Sequence, residues 1–249
     1  MTHSVEISGR TLTKRYTSWS RDEPTREWTA LTLLSRTAPG LTPTPLASSP
    51  TTAGTPWITM TLLPGRALTA PLAPAQTAAV GDAIETLWST PVDGLQPIDL
   101  QALVDRTRTG LTTLADTTGV IARAARTWLD SEPPDLTAVQ DPVVAHGDPN
   151  LTNYLWDGTR VCIVDFEDAG LGDRTVELAN LVEHLSWRQA DPAPLVERFA
   201  VDPHRFRQAR ILWAGFWLTL IGPGGPSAHR NPPGTAEAQA RRVLRLAVE

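Results

Sequence analysis

Apolar and polar positions alternate at the start of the chain. Val5-Glu6-Ile7 and Thr11-Leu12-Thr13-Lys14-Arg15-Tyr16 read as two short strands joined by a hairpin turn at Ser8-Gly9-Arg10. Asp22 is placed to cap a helix, with Pro24 in its tolerated first turn. Trp28, Leu31 and Leu34 then recur every three residues along one helical face, and the helix should stop before Ala38-Pro39-Gly40. Residues 39–56, rich in Pro, Thr, Ser and Gly, read as loop with one short strand near Pro45-Leu46-Ala47. Trp57 to Leu63 is a strand stopped by Pro64-Gly65.

Beyond Gly65 the period becomes helical. Val80, Ile84, Leu87 and Trp88 stand at i, i+4, i+7 and i+8, and helical patterns cover about 98–115 and 118–131 before Pro133-Pro134 breaks the run. Short strands return at Val143-Val144-Ala145, Tyr154-Leu155-Trp156 and Val161 to Val164, with Asp157-Gly158 as a hairpin turn. Helices resume near 174–188, 192–200, 203–221 and 235–247, and the Pro- and Gly-rich stretch Gly222 to Gly234 is loop. The pattern is α+β. A small strand-rich lobe over residues 1–64 precedes a larger, mainly helical lobe over 65–249, with no internal repeat.

Composition sharpens this picture. With 249 residues, 41% hydrophobic and 20% charged, the chain can bury a sizeable core. Residues 1–64 carry six basic and four acidic groups, a net +2, and the remainder carries 16 and 23, a net −7, which together give the chain's −5. That balance argues against a nucleic-acid partner. No apolar run approaches the ~18–20 residues of a membrane span. Met1-Thr2-His3-Ser4-Val5-Glu6 lacks the regions of a signal peptide, so a cytoplasmic protein is expected. The lone Cys162 excludes an intramolecular disulfide and a cysteine-based zinc cluster. Of the 22 basic residues, Lys14 is the only lysine, which marks it as a candidate wherever a compact point charge is needed.

The segment richest in chemistry is His146-Gly147-Asp148-Pro149-Asn150-Leu151-Thr152-Asn153, lying between two short strands. Phosphoryl transfer needs a carboxylate to orient and deprotonate the attacking hydroxyl, and oxygen ligands for Mg²⁺. Asp148 and Asn153, five apart on one tight loop, can divide those tasks. Asp165, at the end of the following hairpin in Ile163-Val164-Asp165-Phe166-Glu167, adds the anionic oxygen that Mg²⁺ prefers.

These residues resemble the catalytic loop of the aminoglycoside phosphotransferase and choline kinase-like family, within the protein kinase-like bilobal fold. The shared features are His-Gly-Asp, four residues and Asn, then the strand-ending aspartate, then Gly172-Asp173-Arg174-Thr175-Val176-Glu177-Leu178-Ala179. In that last motif Arg174 stands where the family has proline and Glu177 where it has aspartate. The resemblance implies Asp148 as catalytic base, Asn153 and Asp165 as Mg²⁺ ligands, and ATP or GTP as phosphoryl donor. It further implies Lys14 on the nucleotide phosphates, Glu27 supporting Lys14, and a hinge at Met60 to Leu63 whose backbone, at Met60 and Leu62, pairs with the nucleotide base.

The first strand and most of the glycine-rich loop that this family places before its lysine strand are not found in the 13 residues preceding Lys14. His146 is expected to order the loop by hydrogen bonding. His184, His204 and His229 read as surface or packing residues, and Trp213 and Trp217, i and i+4 on one helix, as packing or acceptor-pocket residues. The acceptor is expected to be a hydroxyl of a metabolite or antibiotic. The six carboxylates of Asp165 to Glu183, against Arg174 alone, favour a cationic acceptor such as an aminosugar. The rival readings are a catalytically impaired kinase-like binding protein and a metabolic kinase for choline, homoserine or a sugar.

Overall fold

The computed structural model describes residues 3–49, 54–131, 136 and 138–248. Strands β1 (His3–Ser8) and β2 (Thr11–Tyr16) form the expected antiparallel hairpin, turning at Gly9 in the left-handed region (φ 58°). They are followed by α1 (Glu23–Thr37), β3 (Pro45–Ser48) and β4 (Trp57–Thr61). The first sheet is antiparallel in the order β1-β2-β4-β3, and it sets Lys14 opposite Val5 on one side and Ile58 on the other. The strand expected to reach Leu63 ends at Thr61.

Strand periodicity turns Lys14 and Tyr16 to the same buried face of β2. Helix α1 packs against β3 and β4, and its buried stripe consists of Glu27, Leu31 and Leu34, at i, i+4 and i+7. Trp28 is only half-buried. Asp22 does precede α1, but it sits in the left-handed region (φ 62°) and its side chain makes no capping bond.

The larger part begins with β5 (Arg66–Ala67), followed by α2 (Pro74–Trp88), α3 (Leu100–Ala115), α4 (Gly119–Asp130) and β6 (Pro142–Ala145). Next come β7 (Tyr154–Trp156), β8 (Val161–Ile163) and β9 (Gly170–Asp173), then α5 (Arg174–Glu183), α6 (Ala193–Arg198), α7 (Pro203–Ile221) and α8 (Thr235–Val248). Pro133 and Pro134, expected to end the helical run, lie outside the described residues, as do 50–53 of the long loop.

Helices α3, α4, α5, α7 and α8 pack on one another around buried Leu111, Trp128, Leu178 and Leu212. Two small sheets, β5-β7-β8 and β6-β9, carry the chemistry-bearing loops. None of the described helices is long and apolar enough to cross a membrane.

Candidate active site

Lys14 is 6% exposed, and its ammonium is caged by carboxylates from two parts of the chain. Nζ donates to Glu27 Oε2 (2.7 Å), to Glu167 Oε2 (2.7 Å) and to Asp165 Oδ1. Burial alone would lower the Lys14 pKa, but the three carboxylates outweigh it and hold the group above its ordinary value. Glu27, 1% exposed, does more than pair with Lys14. Its Oε2 also accepts from the Tyr16 hydroxyl, and its Oε1 from the Phe166 backbone N–H (3.3 Å). One side chain of α1 thereby ties β2 to the corner that presents Asp165.

That corner is tightly specified. Asp165 lies in the left-handed region (φ 69°), uncommon for a residue with a Cβ. The Val164 N–H before it donates to Asn153 O (2.9 Å), and the Phe166 ring behind it is fully buried edge-on to His146. His146 Nδ1 accepts from the Asp148 N–H (3.3 Å), which leaves the hydrogen on Nε2 to donate to Val164 O (2.9 Å). His146 therefore orders the loop, as its position in the sequence led us to expect.

Asp148 stands on a short segment between β6 and β7. Asn153 Nδ2 donates to its backbone carbonyl (3.0 Å) and to its Oδ2 (3.2 Å). Gly147 before it has φ 82°, and a Cβ there would come within 2.4 Å of Asp168 O, so only glycine fits. The loop is gripped from below by one stripe of α5 and the turn after it. Glu177 Oε2 accepts from His146 N (3.0 Å) and Gly147 N (3.3 Å), Asn180 Nδ2 donates to Gly147 O (3.1 Å), and His184 Nε2 lies 3.4 Å from Asp148 Oδ1. Spaced at i, i+3 and i+7, these three hold residues 146, 147 and 148 in succession.

This assigns His184 a place that the sequence reading denied it. Read as a surface or packing residue, it is buried and its ring touches the Asp148 carboxylate. The Ser186 N–H donates to its Nδ1 (3.1 Å), so the hydrogen faces Asp148 from Nε2. Ser186 Oγ, 2.7 Å from the same nitrogen, accepts from Leu151 N (3.0 Å). Burial would raise the Asp148 pKa, but the hydrogen bond and electrostatic influence of His184, with His146 and Asn153, hold it below the usual carboxylate range. The His184→Gln variant should lose about tenfold to a hundredfold in kcat through misplacement of Asp148. The acid limb of its pH–rate profile should move upward, because the carboxylate loses its main depressing partner. An unchanged acid limb would separate His184 from Asp148.

Two cavities open on these residues. One, about 420 Å³, is lined by Lys14, Asn153 and Asp165 and by the apolar Leu12, Met60 and Leu62, so the expected hinge residues share a cleft with the expected phosphate and metal residues. The Ser8-Gly9-Arg10 turn lies at the Leu62 end of this sheet, where Leu62 N–H donates to Arg10 O (2.8 Å), and it serves as a strand joint. Asn153 and Asp165 give this cleft the oxygen donor set that suits Mg²⁺. Glu27, Asp165 and Glu167 also bring oxygens within 4.8 Å of one another, but Lys14 Nζ bonds to all three.

The other cavity, about 650 Å³, is lined by Gly147 and Asp148 of the same loop that gives Asn153 to the first, and by Trp213 and Trp217 among others. Trp213 is also a packing residue, 8% exposed with its indole N–H on Val176 O (3.1 Å).

The acid-rich segment does not provide a free anionic face. Asp165 and Glu167 bind Lys14, and Asp168 pairs with Arg21 (2.5 Å). Asp173 caps α5 and meets Arg205 (3.0 Å), Glu177 holds the loop at 146–147, and Glu183 is enclosed by Arg210 (2.7 Å) and Arg242. All six charges have partners within the chain.

Several solved structures share this architecture. A choline/ethanolamine kinase family protein from Mesorhizobium loti superposes with a TM-score of 0.65 at 20% identity, covering 100% of this chain and 85% of that one. The GDP complex of aminoglycoside 2'-phosphotransferase-IIIa gives 0.64 at 13%, covering 99% and 88%. A thermostable mutant of aminoglycoside phosphotransferase APH(4)-Ia gives 0.68 at 16%, covering 96% and 88%. At these identities the likeness establishes the fold, a kinase-like arrangement of a small antiparallel sheet and a larger helical part. A search of curated proteins finds no match. The model of the Phosphotransferase enzyme family (APH) matches residues 8–213, and with four-fifths of its length inside that match the chain belongs to this family.

Proposed function

We propose that this protein transfers the γ-phosphate of ATP or GTP to a hydroxyl of a small molecule, a metabolite or an antibiotic. The observation that carries this reading is a hydrogen-bonded carboxylate, Asp148, and Asn153 on one loop, with Asp165 on the corner after β8 bonded to a caged lysine. The division of labour follows the chain: residues 1–64 bind nucleotide, and 65–249 supply catalysis and the acceptor site.

Asp148, with its side chain 37% exposed to the larger cavity, takes the proton of the acceptor hydroxyl. Lys14 holds the nucleotide phosphates, and Glu27 keeps Lys14 aimed. Met60 and Leu62 bound the slot for the nucleotide base. Asn153 and Asp165 would hold Mg²⁺, which when bound neutralises charge on the transferring phosphates. Nucleotide complexes among the similar structures, with GDP and with ADP, support a nucleotide as the phosphoryl donor.

Calorimetry with ATP and GTP, with and without Mg²⁺, followed by phosphate-transfer assays on aminosugar, amino-alcohol and hydroxy-acid panels, tests the reading. Binding should depend strongly on Mg²⁺, and Asp165→Ala should remove most of that dependence. Failure of the unmodified protein to bind either nucleotide would replace this reading by that of a non-catalytic binding protein.

A further inference from the structure

The larger cavity is lined by four arginines and five carboxylates, and the two sets are not equally engaged. At about 650 Å³ it can enclose a drug-sized molecule. Its apolar wall combines the aromatic Trp213, Phe216 and Trp217 of α7 with aliphatic residues such as Leu100 and Leu103 of α3. Its charged groups are unevenly satisfied. Arg106 of α3 and Arg230, in the turn between α7 and α8, are exposed, and among the described residues neither side chain has a hydrogen-bond or ion-pair partner. Arg26 donates only to backbone carbonyls, those of Arg21 (3.2 Å) and Ala169 (3.2 Å).

The carboxylates of the same cavity are mostly engaged. Asp168 is paired with Arg21, Asp173 with Arg205, and Glu177 is bonded to the catalytic loop. Asp99 caps α3 through the Ala102 N–H (2.8 Å). That leaves Asp148, the base itself, at one end. A polycationic acceptor would meet three guanidiniums that have no carboxylate partner among the described residues, at a cost of like-charge repulsion. A carboxylate would meet planar donor forks suited to bidentate binding.

We propose, building on the phosphotransferase reading above, that this cavity selects an acceptor alcohol bearing an anionic carboxylate on an apolar frame. Arg106 and Arg230 receive the carboxylate, α7 receives the frame, and the hydroxyl is delivered to Asp148. The step is an ordinary transfer. The acceptor oxygen forms a bond to the γ-phosphorus, the bond from that phosphorus to the β,γ-bridging oxygen breaks, and the hydroxyl proton passes to Asp148.

The test uses the full chain and three isosteric probes: 3-phenyllactate, its neutral amide, and the cationic 2-hydroxy-3-phenylpropylamine. Calorimetric titration of each, with and without saturating Mg²⁺-ADP, should show the carboxylate binding at least tenfold tighter than the amide and the amine weakest. Arg106→Gln and Arg230→Gln should each reduce that preference about tenfold, with the melting temperature as folding control. Tighter binding of the amine, equal binding of all three, no binding of any at millimolar concentration, or an unchanged preference in both variants would overturn the proposal. Nucleotide binding by the unmodified protein is scored separately. Its absence would remove the phosphotransferase reading, while carboxylate selection measured without nucleotide would still stand or fall by itself.

Discussion

The Asp148→Asn variant should transfer phosphate about 10²–10⁴-fold more slowly than the parent, the range that loss of a positioned general base produces. The fold should survive. Asp148 accepts from His184 on one oxygen and from Asn153 on the other, and an amide can accept on only one side. The deficit is then about one hydrogen bond, on the order of 1 kcal/mol.

The pH dependence of that deficit has a definite sign. The Asp148 carboxyl is held below its usual range, so its charge stabilises the fold above the unfolded-state pKa, and this contribution is lost as pH falls through the folded value. The melting temperatures of variant and parent should therefore converge on acidification. Single-turnover kinetics and thermal melts from pH 3 to pH 8 measure both effects. Parental turnover by the variant would remove Asp148 from the role of base.

Removing Lys14 should have the second large effect, on both affinity and stability. The Lys14→Met variant loses the charged donor to the nucleotide phosphates, a loss of about 10–100-fold in affinity for one or two charge-assisted hydrogen bonds. It also strips the counter-charge from Glu27, which is 1% exposed, and breaking a buried pair from one side costs about 3–5 kcal/mol. With Glu27, Asp165 and Glu167 then facing one another, the variant should regain stability as pH falls and the carboxyls protonate. Lys14→Arg should rescue only in part, because a planar fork cannot replace a compact ammonium among three converging carboxylates. Denaturant melts at pH 5 and pH 8, with nucleotide titrations at the higher value, decide it. Parental affinity in Lys14→Met would remove Lys14 from the nucleotide site.

The elements with strong periodicity are legible in the sequence itself. The helix expected over 203–221 is α7 to the residue, and the hairpin that carries Lys14 turns at the expected glycine. Strand β9, Gly170–Asp173, was not legible, because Gly-Leu-Gly-Asp has no alternation and becomes a strand only by pairing with β6. Similarly, β5 is two residues long and exists through β7.

Within the site, sequence motifs named Asp148, Asn153 and Asp165, and the lysine census named Lys14. His184 was missed because its partner lies 36 positions away and no motif links them. A signal was nonetheless present. Glu177, Asn180 and His184 form a polar i, i+3, i+7 stripe in a segment otherwise rich in Leu, Val and Ala. The fate of the acid-rich segment was illegible for the same reason, since Arg205, Arg210 and Arg242 arrive from α7 and α8.

The stripe on α5 has a consequence for which changes in chain length the protein can absorb. The helix starts at the Asp173 cap, and its grip on residues 146–148 runs to His184, so its phase is set at both ends. One inserted or deleted residue turns everything beyond it by about 100° and carries His184 or Asn180 off the catalytic loop. Glu183 would leave the arginines of α7 and α8 in the same movement. Family members that retain this device should therefore vary freely in length between Gly222 and Gly234 and share one spacing from Asp173 to His184.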